Sequence, residues 1–415
     1  MHYFAYRNDE LYCEDVPLAR IAAEVGTPAY VYSRRTLVHH ARVFRQAFPE
    51  ALICFAVKAN SNISILHTLA QEGIGADIVS GGELFRARRA GVEPENIVFA
   101  GVGKREDEIA AALKQDIFMF NVESIEELNL IQRVAQELNT TARIALRVNP
   151  DVDAKTHPYI STGLRENKFG ISMDSALMDY HYAHRLSHIQ VQGIHCHIGS
   201  QLTTIEPFID AFKIIRALAL ELIASGIDIR YLDMGGGLGI TYEREKPPLP
   251  MELAHAMAPL MEDLPCTLIL EPGRAIAGNT GVFLTQVLYT KQTEEKRFIV
   301  VDGAMNDLAR PSLYGSFHDI RPVQLNTSGE EPVKVDIVGP ICESSDFFAR
   351  ERLMPACHHG DILAIMSAGA YGFTMSSNYN SRPRAVEVLV DDDQYRIIRR
   401  RETLEDLIQH EELPQ

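Results

Sequence analysis

Phe55-Ala56-Val57-Lys58-Ala59-Asn60 closes an apolar run that begins at Ala51 and leads into a helical pattern over 62–73. A short apolar run of this kind reads as a buried strand. A lysine at its end, followed by a helix, sets an amine at the rim of a β/α unit, where α/β folds carry their chemistry. Phe55, Ala56 and Val57 around it predict a poorly hydrated amine with a lowered pKa, the form in which lysine makes a Schiff base. A lysine at a strand end is also a common solvated surface residue, so the rest of the chain has to decide.

Working outward, the alternation continues. Apolar strand candidates fall at 51–57, 76–79, 97–100, 117–120, 142–148, 190–197, 229–234 and 267–270. Helical patterns lie at 62–73, 80–90, 104–114, 124–138, 173–185, 206–225 and 251–262, after a first helix at 35–48. Ser80 with Glu83, and Ser124 with Glu127, are capping-box signals for two of them. Eight strands in strict alternation predict an α/β fold of the (β/α)8 TIM-type barrel kind rather than an open sheet. After Arg274 the pattern becomes strand-rich, at 282–290, 297–301, 333–338, 361–366, 385–390 and 395–399. We therefore expect a barrel over 35–275 and a second, mainly β domain from 1–34 and 276–415. The N-terminal strand, Thr27-Pro28-Ala29-Tyr30-Val31-Tyr32, would join that second domain.

Bulk properties narrow the classes. The 415 residues are 46% hydrophobic and 23% charged, an ordinary globular composition. A net charge of −16 leaves nucleic acid and anionic membrane as improbable partners. The six cysteines lie far apart with no CxxC pair, a reduced pattern. The first ten residues lack the apolar core of a secretion signal, and no run is long enough to span a bilayer. A cytoplasmic protein is expected.

A barrel gathers its strand ends at one mouth, and here those ends are polar. They carry Lys58; Asp77 and Ser80; Arg147 and Asn149; His195, His197, Ser200 and Gln201; Gly235, Gly236, Gly237 and Gly239; and Glu271, Gly273 and Arg274. The glycine run reads either as a flexible turn or as a nest of backbone N–H groups for a phosphate. It lacks the lysine of a Walker loop, and where a dinucleotide fingerprint would want a tight βαβ unit with an acid about 20 residues on, residues 240–250 are instead rich in Tyr, Glu and Pro. His195 and His197, at i and i+2, would share one strand face. They read as structural histidines or as a metal pair in a barrel hydrolase, although the other strand ends offer no third histidine. One reading uses every end: a phosphate-bearing aldehyde cofactor on Lys58, its ring under a histidine and its ring nitrogen on Glu271.

Phe55–Asn60 as quoted, His197-Ile198-Gly199-Ser200, the glycine run and Glu271-Pro272-Gly273-Arg274 together resemble the barrel-fold pyridoxal-phosphate decarboxylases. That family includes the ornithine, arginine and diaminopimelate enzymes, and the resemblance covers roughly 18–406. Further stretches are similar to its diaminopimelate branch: His157-Pro158-Tyr159-Ile160-Ser161-Thr162-Gly163, Asn167-Lys168-Phe169-Gly170, Met305-Asn306-Asp307-Leu308, Arg310-Pro311-Ser312-Leu313-Tyr314, Gly339-Pro340-Ile341-Cys342-Glu343-Ser344 and Tyr379-Asn380-Ser381-Arg382-Pro383. The resemblance implies pyridoxal 5'-phosphate held by Lys58, with Asp77 nearby, His197 stacked on the ring and Glu271 at its nitrogen. It implies phosphate binding by Ser200, Gly236, Gly237, Gly273, Arg274 and Tyr371. Arg274, Arg310, Tyr314, Tyr371 and Glu343 would hold a small amino-acid substrate, meso-diaminopimelate, on the way to L-lysine. Cys342 and Glu343 would come from the second subunit of a homodimer with shared sites, Cys342 near the reacting carbon, and no metal is implied. Phe55 departs from the tyrosine common in the family, which removes a hydroxyl beside Lys58.

Overall fold

A computed structural model of the chain describes residues 2–153, 168–325 and 331–414. The motif at 157–163 and Asn167 lie outside the described residues. The chain divides into two compact units, one of 39–241 and 245–276, the other of 1–38, 242–244 and 277–415.

The first unit is a closed parallel barrel. Its strands are β1 (Leu52–Ala56), β2 (Gly75–Ile78), β3 (Ile97–Phe99), β4 (Met119–Val122), β5 (Ala142–Asn149), β6 (Ile189–His195), β7 (Tyr231–Asp233) and β8 (Thr267–Leu270). Each pairs with the next, and β8 returns to β1 through Ile269↔Leu52 and Leu270↔Ile53. Such closure requires strands buried on both faces, which is why their sequences are continuous apolar runs. Cys54, Val98, Met119, Ala145 and Ile269, from five different strands, pack as one cluster. Gly193 on β6 lets β7 pair closely beside it, since a Cβ there would come within 2.9 Å of the Tyr231 carbonyl oxygen.

Helix limits follow the sequence closely: Ile63–Gln71, Gly81–Arg89, Ile125–Glu137, Met173–His184 and Glu206–Ala224. The two expected capping boxes form with a shift. Ser80 Oγ and Ser124 Oγ accept from the N–H groups of Glu83 and Glu127. The glutamates then reach one residue further back than a standard box, to the N–H groups of Val79 and Glu123. Ser80 thereby caps its helix.

The second unit is built on a mixed sheet in the order Phe347–Met354, Val333–Val338, Arg297–Val301, Gly281–Gln292, Ala29–Ser33, Val386–Asp391, Gln394–Arg399. The N-terminal strand Ala29–Ser33 is fully buried and central, antiparallel to Gly281–Gln292 and parallel to Val386–Asp391. Three strands of this unit were not foreseen before residue 18, namely Phe4–Arg7, Glu10–Cys13 and Val16–Pro17. Phe347–Met354 was also missed. It is an edge strand in which Arg350 and Glu351 are exposed side by side and whose register shifts against Val333–Val338, so its hydrophobic alternation is broken.

Candidate functional site

The barrel strands deliver seven polar side chains to one end. Strand β1 stops at Ala56, and Lys58 sits in the 3-10 turn Val57–Ala59. Its ammonium donates to Asp77 Oδ2 at 2.7 Å. The expected dehydration is not found: the Lys58 side chain, in a turn past the end of β1, is 40% exposed. Asp77, on β2, is wholly buried, and its second oxygen has no protein partner. Burial and the neighbouring Glu271 push its pKa up to about 7, against the pull of Lys58.

Below them lies a compact acid cluster. Asn121, on β4, donates through Nδ2 to Asp233 Oδ2 at 2.8 Å and to Glu271 Oε1 at 3.1 Å. His195 Nε2 lies 3.5 Å from Glu271 Oε2. Asp233 Oδ1 accepts from the Gly235 N–H at 2.9 Å. Burial raises Asp233 well above the usual carboxylate range, and Glu271 beside it adds to this. Burial also works to raise Glu271, but His195, Lys58 and a hydrogen bond with Asp233 outweigh it and hold Glu271 low. Two carboxyls this close share one proton, and here Asp233 keeps it while Glu271 stays ionised.

His195, Asp233 and Glu271 could geometrically approach one cation. The Asn121 amide, however, directs its two protons at both carboxylates, a donor where a cation would need lone pairs. The expected His195 and His197 face does not exist, because β6 ends at His195. His197 lies beyond it, and its Nδ1 accepts from the Gly236 N–H at 3.2 Å. That bond places the ring proton on Nε2. Burial and then Arg147 lower its pKa well below the ordinary value, so the imidazole is neutral. Arg147 is fixed by Glu123 at 2.7 Å.

The glycine run is a loop pinned by hydrogen bonds. Gly237 has φ +116, and a Cβ there would lie 2.6 Å from the Gly199 carbonyl oxygen. Leu202 bonds to both Gly237 O and the Gly239 N–H, each at 2.9 Å. These ties consume the N–H groups of Gly235, Gly236 and Gly239. Among the described residues, the N–H groups of Gly237 and Leu238 keep no partner. Close by, Arg274 Nη2 donates to Ser200 Oγ at 3.0 Å. Gly273 permits this approach, since a Cβ there would sit 3.0 Å from Ala56 Cβ and 3.1 Å from Ala59 Cβ. It thus lets the end of β8 pack on the turn that carries Lys58.

An accessible primary amine, a buried carboxylate held ionised, a neutral imidazole and an anion-binding set fit pyridoxal 5'-phosphate. The orphaned buried oxygens of Asp77 and Asn121 agree with a polar group seated there. Sequence reasoning missed Asn121 and Asp233. The available signal was a polar residue in a short apolar strand, Asn121 inside Met119–Val122 and Asp233 at the end of Tyr231–Asp233.

The second unit holds the remaining expected residues. Arg310 opens the short helix Arg310–Tyr314 and is 5% exposed. Its guanidinium lies over the Tyr242 ring at 4.6 Å. Tyr371 adopts φ 55, an uncommon conformation for a tyrosine. Cys342 and Glu343 are exposed in this chain, and Glu343 accepts from Tyr379 and from Ser345.

Residues 34–278 match the family described as pyridoxal-dependent decarboxylase, pyridoxal binding domain. Diaminopimelate decarboxylase of Pseudomonas aeruginosa is 52% identical over 100% of this chain and 99% of its own. That of Aquifex aeolicus is 50% identical over 98% and 97%. The crystal structure of diaminopimelate decarboxylase from Helicobacter pylori complexed with L-lysine superposes with a TM-score of 0.91 at 45% identity, covering 94% of this chain and 98% of that one. With a closed barrel of this kind and matches that span nearly its whole length, the chain belongs to the pyridoxal-dependent decarboxylases. Within that class the chain is a member of the diaminopimelate decarboxylase family, similar to its relatives along essentially the whole length.

Proposed function

We propose that this chain decarboxylates meso-diaminopimelate to L-lysine and CO2, with pyridoxal 5'-phosphate as cofactor. The observation that carries the reading is the pairing of Lys58 with Asp77 above an ionised, fully buried Glu271. When bound, the cofactor supplies an aldehyde carbon for amines and a ring that takes up the electrons released as CO2 departs.

The residues divide the remaining work. Lys58 anchors the cofactor and yields to the substrate amine. Asp77, with a pKa near neutrality, holds or releases a proton at Lys58 Nζ. Glu271 would meet the ring nitrogen as a fixed negative charge; His195 and Lys58, with a hydrogen bond from Asp233, keep it ionised, and the Asn121 amide holds it in place. His197 offers a neutral face to the ring, oriented by the Gly236 N–H. Ser200, Arg274 and the N–H groups of Gly237 and Leu238 bind the phosphate, with Gly236 and Gly273 shaping the cradle and Tyr371 adjoining it.

Arg310 and Tyr314, with Arg274, bind the far carboxylate of the substrate. Cys342 and Glu343 of the partner subunit complete the site, Cys342 toward the reacting carbon and Glu343 on the far amine. Their exposure in this chain supports a homodimer with two shared sites. No described helix is long and apolar enough to cross a membrane, and we place the enzyme in the cytoplasm with the rest of amino-acid biosynthesis.

Borohydride reduction of the holoenzyme tests the anchor. The cofactor should be fixed to the peptide containing Lys58 and to no peptide in Lys58→Ala. Fixation to a different lysine in the wild type contradicts the reading.

A further inference from the structure

Arg310 is held by a histidine whose tautomer the fold determines. The helix Arg310–Tyr314 ends at Gly315 in the left-handed conformation, φ 62, and the chain turns back beneath it. His318 lands there fully buried. Its Nδ1 lies 2.8 Å from the carbonyl oxygen of Met366. A carbonyl only accepts, so Nδ1 carries the proton and Nε2 carries a lone pair. That lone pair faces Arg310 Nη1 at 2.8 Å. A guanidinium only donates, so the bond runs from Arg310 to His318. Tyr242 packs against both, over the guanidinium at 4.6 Å and edge-on to the imidazole at 5.3 Å between ring centres. The Arg352 guanidinium donates to the His318 carbonyl at 2.9 Å, which fixes the backbone of the same residue. Ser316 Oγ accepts from Arg310 Nη2 at 3.3 Å.

We infer that His318 is the positioning residue for Arg310: locked by Met366 as a neutral acceptor, it aims the guanidinium at the substrate's far carboxylate. This rests on the reading of Arg310 as the anchor for that carboxylate. The choice of imidazole has a chemical consequence. A carboxylate in the same place would orient the guanidinium but compensate its charge. A neutral ring nitrogen orients it and brings no opposing charge of its own.

The test uses two ligands of the holoenzyme. L-lysine, the product, retains the far carboxylate, whereas 1,5-diaminopentane has the same chain and amines but no carboxylate. Calorimetry gives the Kd of each for wild type, His318→Asn, His318→Gln and Arg310→Ala. Asparagine is short: its amide reaches Met366 O but not Arg310. Glutamine is one methylene longer and brings an acceptor oxygen to Arg310. Losing one hydrogen bond of a charged donor should weaken L-lysine binding about 10- to 100-fold in His318→Asn. 1,5-Diaminopentane should bind with unchanged affinity, and His318→Gln should restore most of the L-lysine affinity. KM for meso-diaminopimelate should rise in His318→Asn while kcat holds. Should His318→Asn not fold, His318→Phe, which keeps the ring volume without an acceptor, takes its place in the comparison.

Equal weakening of both ligands, or no rescue by glutamine, would show a purely structural role and overturn the inference. Unchanged L-lysine binding in His318→Asn, with a large loss in Arg310→Ala, also overturns it while leaving the Arg310 reading intact. Unchanged L-lysine binding in Arg310→Ala defeats the Arg310 reading itself, and the inference with it.

Discussion

Asp77→Asn should make the cofactor-free protein more stable at pH 8 while removing its activity. Asp77 is completely buried, and its pKa is pushed up to about 7 from an ordinary 3.8. Between those values the folded chain holds a proton that the unfolded chain has released, so stability falls as pH rises from about 4 to about 7. Three pKa units amount to about 4 kcal/mol, fully imposed above pH 7. Asparagine has the same shape and never ionises, so the variant escapes this loss. It gives up the bond to Lys58, but that side chain is 40% exposed, and such a pair contributes about 1 kcal/mol or less. The net gain at pH 8 is therefore about 3 kcal/mol. For a unit of this size it corresponds to roughly 6–12 °C in Tm. Thermal melts of cofactor-free wild type and variant, from pH 5 to pH 8, read the difference directly. The two should melt within about 2 °C of each other at pH 5 and diverge steadily upward. Turnover by the reconstituted variant should fall at least about 100-fold, because the carboxyl that exchanges a proton with Lys58 is gone. A Tm difference that does not vary with pH would refute the reasoning, since it would mean that Asp77 is ionised throughout.

Gly237→Ala introduces a Cβ 2.6 Å from the Gly199 oxygen at φ +116. The cofactor Kd, read by absorbance titration, should rise at least about tenfold with the fold retained. Lys104 is buried against Glu127 at 2.7 Å with carbonyl ties to Gly101 and Asn121, so Lys104→Met should cost about 3–5 kcal/mol by denaturant unfolding, and adding Glu127→Leu should recover most of it. Lys58→Ala and Cys342→Ala homodimers should each be nearly inactive, yet dissociation and remixing should restore about a quarter of wild-type activity per site, since one of the two hybrid sites is intact; no recovery in hybrids shown to form would argue against shared sites.

The barrel was legible because its strands are buried on both faces, so each appears as an uninterrupted apolar run with a polar residue at its end. The capped helices at Ser80 and Ser124 were legible for a local reason, a hydroxyl three residues before a glutamate. What escaped is set by distant partners. The hydration of Lys58 depends on where β1 stops, at Ala56, two residues short of the lysine. The expected His195 and His197 face depended on a strand that in fact ends at His195. Asn121 and Asp233 meet across 112 positions of sequence, and no local pattern announces such a bond. Phe347–Met354 hid because an edge strand tolerates the charges that disguise it.

The most direct measurement is turnover of meso-diaminopimelate by the purified holoenzyme beside L-lysine and L-ornithine, with CO2 and product amine quantified for each. Meso-diaminopimelate should give L-lysine and CO2 in equal amounts. L-lysine and L-ornithine lack the second carboxylate that Arg310 is proposed to bind, and their kcat/KM should be lower by about 10⁴ or more. Comparable kcat/KM for L-lysine and meso-diaminopimelate would contradict the proposed substrate and point to a basic-amino-acid decarboxylase on the same fold.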